Sequence, residues 1–66
     1  MRKIDRFFEY CQFRQLSNRD VTRMLDISEG LLLKSSKEGK DLSPKLLGII
    51  SNTFKDLNIN WLINGE

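Results

Sequence analysis

Apolar residues recur along this chain at spacings of three and four, and alternation of period two is nearly absent. That periodicity predicts an all-α fold, with no segment suited to a strand. In the first stretch Ile4, Phe7, Phe8 and Cys11 fall at i, i+3, i+4 and i+7, one stripe of a helix over about 3–14 whose other faces carry Asp5, Arg6, Glu9 and Gln12. Tyr10 and Phe13 widen the stripe beyond what one face can bury, so at least one of them is expected to stay partly exposed.

The remaining boundaries come from one local pattern: an apolar residue, then Ser or Asn, then another apolar residue four positions after that polar one. It occurs as Leu16-Ser17 with Val21, Ile27-Ser28 with Leu32, Leu42-Ser43 with Leu47, and Leu57-Asn58 with Leu62. Each has the form of an N-cap inside a hydrophobic staple, where the cap oxygen accepts an orphan backbone N–H and the two apolar groups fix the direction of approach. Asp20, three residues after Ser17, supplies a capping-box acid, and Pro44 follows Ser43 at the first helical position, where its missing N–H costs nothing. Helices are thus predicted over 18–25, 29–37, 44–54 and 59–64, giving five in all. Gly39 and Gly65 suit left-handed positions just past the third and fifth helices, and Glu38 to Asp41 is the only loop of any length.

Composition then removes whole classes of function. Sixty-six residues with 39% hydrophobic side chains make one small domain, 1–66, with a single core. There is no histidine, which excludes imidazole bases, catalytic triads and His-ligated metals. The single cysteine, Cys11, has no partner for a disulfide or a zinc site and reads as a small core hydrophobe. Ser17, Ser28 and Ser43 read as caps, since no base is present to make them nucleophiles, and the scattered carboxylates form no pair; an enzyme is not expected, nor a cofactor. Gly39-Lys40 lacks the upstream glycine of a phosphate-binding loop. Apolar runs such as Leu31 to Leu33 fall far short of the roughly 20 residues that span a bilayer, and no signal-peptide pattern opens the chain, so a cytoplasmic location off the membrane is expected.

Only Asp26, Ile27 and the proposed cap Ser28 separate the second and third helices, and so short a connection forces a steep crossing, the geometry of a helix-turn-helix. Leu16 to Lys37 resembles the helix-turn-helix of the Cro and phage-repressor (lambda-repressor-like) family of bacterial transcriptional regulators, with Val21, Leu25, Ile27 and Leu32 at the family's buried positions. Asn52 to Glu66, with its Phe54, Leu57-Asn58, Trp61-Leu62-Ile63 and Gly65-Glu66, is similar to the C-terminal signature of such domains in Bacteroidetes-like regulators. The likeness therefore covers nearly the whole chain. It departs at Asp26, where the family usually has Gly, although Asp tolerates a positive φ. It departs also at Thr22, larger than the usual small residue, and at Ser35, in place of a buried aliphatic, whose hydroxyl is expected to bond a carbonyl one turn earlier.

The resemblance implies sequence-specific binding of double-stranded DNA by a repressor that acts as a homodimer, often with a C-terminal effector domain beyond this signature, and that associates with the bacterial nucleoid when bound. With Ile27, Leu31, Leu32 and Ser35 turned inward, the third helix presents Glu29, Gly30, Leu33, Lys34 and Lys37. In a major groove Lys34 is suited to guanine O6 and N7, Glu29 to cytosine N4 and Leu33 to a thymine methyl, while Gly30 permits close backbone approach. Asn18 and Ser28 at the helix N-termini, with Arg14, Arg19, Lys37 and Lys40, are the expected phosphate contacts. Trp61 with Leu62 and Ile63 is expected to close the core, part of that helix being the alternative place for a dimer contact.

Net charge is only +2, but it is uneven: residues 1–40 hold nine Lys and Arg against six acids, and residues 41–66 two against three. So modest a surplus, with Glu29 and Leu33 on the reading face, leaves a second reading, a protein-interaction module that keeps the fold without specific DNA binding.

Overall fold

The capping signals in the sequence are realised nearly residue for residue in a computed structural model, which describes residues 1–65. Glu66, the end of the C-terminal signature, lies outside the described residues. The elements are α1 (Lys3–Phe13), α2 (Asn18–Leu25), α3 (Gly30–Lys37), α4 (Pro44–Thr53) and α5 (Ile59–Asn64), with no strand among the described residues. Ser17 accepts from the Asp20 N–H while Asp20 accepts in return from the Ser17 N–H and hydroxyl, so the capping box closes around α2. Ser43 accepts from the Leu46 N–H with Pro44 behind it, and Asn58 accepts from the N–H groups of Asn60 and Trp61.

The start of α3 differs from expectation. Its N-cap is Glu29, already in right-handed helical conformation, and not Ser28. The Leu31 N–H bonds the Ser28 carbonyl at 3.2 Å, so the chain enters the helix through a tight turn and the Ser28 hydroxyl caps nothing.

Three helices end in a residue of positive φ whose successor donates back to a carbonyl five positions earlier, the Schellman arrangement. After α3 the residue is Gly39, with Lys40 N–H bonded to the Ser35 carbonyl at 2.8 Å. After α2 it is Asp26, at φ 57°, with Ile27 N–H bonded to the Thr22 carbonyl at 3.0 Å. After α1 it is Gln15, also at φ 57°, a position the sequence does not advertise.

The core collects one stripe from every helix. α1 packs on α3 and α5, and α2 on α4. Ile4, Phe7, Leu32, Ile50 and Leu62 are wholly enclosed, and Phe7, Tyr10 and Phe54 form a ring cluster with centroids 5.7–6.3 Å apart. Tyr10 is buried and Phe13 is 83% exposed, which settles which of the two leaves the stripe. Cys11 is buried, and its enclosure pushes the thiol up to about 11, so at neutral pH it is an unreactive core group. Leu62 closes the core with Trp61 half-buried beside it, whereas Ile63 points outward, 41% exposed.

Two ties across the chain complete the frame. Asp41, in the α3–α4 loop, accepts from the N–H groups of Lys3 and Ile4 and so caps α1 from 37 residues away, with Lys3 Nζ 3.7 Å from the same carboxylate. Burial alone would raise this carboxyl, but the N–H groups of Leu42, Ile4 and Lys3 and the Lys3 charge outweigh it and hold it below the ordinary value. Arg6 donates to the carbonyls of Leu62 and Ile63, both at 2.8 Å, fastening the last turn of α5 to α1.

Candidate nucleic-acid interface

The turn between α2 and α3 sets the site. Asp26 in the left-handed region reverses the chain, and Thr22, almost fully buried beneath it, turns its hydroxyl onto the Asn18 carbonyl at 2.9 Å. It is Thr22, and not Ser35, that makes a back-bond to the preceding turn; Ser35 stands half-buried on the wall of a cavity between α3 and α4. Asn18 Nδ2 then donates to the Glu29 carbonyl at 2.8 Å, fastening the first turn of α2 to the residue that opens α3. The start of α2 and the start of α3 are therefore held side by side.

Four of the five helices have their N-terminal N–H groups met by side chains: α1 through Asp41, α2 through Ser17, α4 through Ser43 and α5 through Asn58. α3 has no side-chain cap. The Leu31 N–H bonds the Ser28 carbonyl, and among the described residues no side chain meets the helix start or the positive end of its dipole.

Around that end the structure brings together most of the residues the sequence singles out. Glu29, Gly30, Leu33, Lys34 and Lys37 are all exposed, with Leu33 at 49%. A β-carbon at Gly30 would meet nothing within 4 Å, so the fold itself does not require glycine there. Leu33 overhangs a pocket of about 240 Å³ floored by Val21, Leu32 and Cys11 and edged by Asn18. Glu29 and Arg19 share a shallow concavity with Arg23, Thr22 and Ile27. Arg23 was not among the expected contacts; the available signal was its i+4 spacing from Arg19 on one face of α2. Asp20 beside them stays ionised, because its bonds to Ser17 hold its carboxyl below the ordinary value and Arg23 and Arg19 add to the effect.

Other expected contacts are occupied elsewhere. Arg14 is ion-paired with Asp56, donates to the Tyr10 hydroxyl and stacks 5.9 Å over that ring, so its charge is compensated within the fold. Asn18 is a strut between helices rather than a free donor, and its Oδ1 is buried without a partner. Lys40 lies 3.9 Å from Glu38 in an exposed pair, a contact worth little, and keeps its ammonium available. Leu31, expected inside, is 41% exposed and lines the groove between α3 and α4. Arg2 and Arg6 are likewise spent on the fold, Arg2 on Asp5, Ser36 and the Lys40 carbonyl. Much of the basic surplus of residues 1–40 is therefore structural. The cations without an ion pair among the described residues on α2 and α3 are Arg19, Arg23, Lys34 and Lys37.

Comparison of the chain with protein-family models, with curated proteins and with solved structures gives no match.

Proposed function

We propose that this domain binds duplex DNA through α3, as a sequence-selective regulator whose occupancy of a promoter represses it. The observation that carries the reading is the uncapped N-terminus of α3 held beside that of α2 by the Asn18–Glu29 bond, with Gly30, Leu33 and Lys34 projecting from it. An exposed helix end flanked by unpaired cations matches what a major groove accepts: N–H groups and positive charge toward phosphate, a short row of side chains toward base edges. Lys34 and Glu29 are the hydrogen-bonding readers, Leu33 the thymine-methyl contact, and Gly30 the point of closest backbone approach. Arg19, Ser28, Lys37 and Lys40 hold phosphates, with Arg23 beside them.

A recognition helix of eight residues is about 12 Å long and reaches only four or five base pairs, too few to select one site. Two copies are therefore needed. The longest dimension of the domain, 28 Å, is less than the roughly 34 Å repeat of one DNA turn, so two copies fit side by side on successive turns of one face of the duplex. Selection of bound sequences from a random duplex pool tests the reading: a two-fold-symmetric site with half-sites one turn apart is expected. Lys34→Ala should then lower discrimination at one base position; a uniform loss across sequences would assign Lys34 to phosphate. Failure to retain any duplex would instead leave the half-exposed Leu33 and the nearly balanced charge to a protein-interaction role.

A further inference from the structure

Three aromatic rings and one carboxylate meet where the last turn of α1 packs against α5, and nothing in the DNA-binding reading uses them. Phe13 is 83% exposed, the most exposed large apolar side chain among the described residues, and it takes no part in the core. With Glu9, Tyr10 and Trp61 it lines a surface notch of about 310 Å³. Glu9, Tyr10 and Phe13 come from one side of α1, at i, i+1 and i+4, and the packing of α5 on α1 sets Trp61 beside them. Tyr10 is the fixed floor: it is buried against Phe7 and Phe54, and its hydroxyl donates to Asp56 at 2.8 Å. Phe13 and the half-buried Trp61 are left to offer ring surface to a ligand.

The charges about the notch reduce to one carboxylate. Glu9 is exposed and makes no ion pair among the described residues. Arg14, which lies over the Tyr10 ring, is neutralised by Asp56. Arg6, one turn before Glu9, is turned toward the far end of α5, where it donates to the carbonyls of Leu62, Ile63 and Met1. The carbonyl end of the α1 dipole adds partial negative charge near Phe13. Ring faces attract an alkylated ammonium through their quadrupole, and a carboxylate beside them favours the same charge and repels an anion. We propose that the notch binds a small quaternary ammonium ion of the size of choline, its methyl groups against Trp61 and Phe13 and its charge facing Glu9. The inference stands on the notch alone and does not depend on DNA binding.

Trp61 is the only tryptophan of the chain, so its fluorescence reads the notch directly. Choline is titrated against neohexyl alcohol, the same skeleton with carbon in place of the charged nitrogen, at an ionic strength held constant with sodium chloride. A saturable change in Trp61 emission is expected with choline, at a dissociation constant of about 1–10 mM, and the alcohol should bind at least fivefold more weakly. Phe13→Ala and Glu9→Gln alter exposed side chains, and circular dichroism verifies that both variants keep the fold. Each should weaken choline at least threefold, and Glu9→Gln should leave the alcohol unchanged. A peptide bearing trimethyl-lysine carries the same head group and should bind no tighter than choline; tighter binding would reassign the site to a protein side chain, contrary to the proposal. Absence of a saturable change, equal binding of choline and the alcohol, or full affinity in Phe13→Ala would overturn it. So would Trp61 emission that follows protein concentration instead of choline, which would mean that Phe13 of a second copy covers the notch.

Discussion

Replacing Gly30 by alanine separates the demands of the fold from those of the partner. A methyl group at this position points into open space, with no atom within 4 Å, and the backbone there is ordinary helix, so nothing in the free protein opposes it. Removing glycine's extra unfolded-state freedom and raising helix propensity should stabilise the domain by about 0.5–1 kcal/mol. For a chain of this length that corresponds to a rise in melting temperature of roughly 2–8 °C, readable by circular dichroism. On DNA the same methyl group would intrude where the backbone of α3 comes closest to the base edges. Overpacking at a close contact costs about 1–3 kcal/mol, so affinity for a selected duplex, measured by fluorescence anisotropy, should fall about tenfold or more. Stability and binding should therefore move in opposite directions. A more stable variant that binds as tightly as the parent would show that Gly30 does not approach DNA, and a less stable one would refute the described start of α3.

Two further substitutions test the frame. Asp41→Ala removes the cap of α1 together with the Lys3 pair and should cost about 1–2 kcal/mol, lowering the melting temperature by about 4–16 °C. The Asp41 carboxyl is depressed in the folded state, so its contribution is complete above the unfolded value near 3.9 and is lost as pH falls through the folded one. The difference between parent and variant should accordingly vanish in acid melts, and a difference that persists there would show that Asp41 acts by packing alone. Gln15→Gly relieves a side chain held at φ 57° and should stabilise by about 0.5–1 kcal/mol, the strain released exceeding the added chain entropy; a destabilised variant in thermal melts would contradict the left-handed turn after α1.

What could be read from the sequence was what is local. The caps Ser17, Ser43 and Asn58 act over two or three residues, and so do the stripes that bury Ile4, Phe7, Val21, Leu25 and Leu62. At α3 the same rule failed, since a backbone bond between Ser28 and Leu31 closed the turn and left the Ser28 hydroxyl idle, and Leu31 is exposed rather than inside. Long-range ties were not legible at all. Asp41 reaches α1 across 37 residues and Arg14 reaches Asp56, and no spacing rule announces either. That invisibility made the candidate site look more basic than it is, because arginines counted as surplus charge turned out to be fasteners. Neutral struts were hidden in the same way: Asn18 looked like a phosphate ligand at a helix end, and its partner, the Glu29 carbonyl, carries no sequence signal.

Equilibrium binding of the selected duplex at 50 and 200 mM salt tests the central claim most directly. Three phosphate-contacting cations per copy, Arg19, Lys37 and Lys40, make about six in a dimer, so affinity should fall about 10³-fold between the two conditions. Saturable binding that weakens on that scale is the expected result. Affinity indifferent to salt, or no saturable binding to any duplex at 50 mM, would contradict the assignment of α3 as a DNA-reading helix.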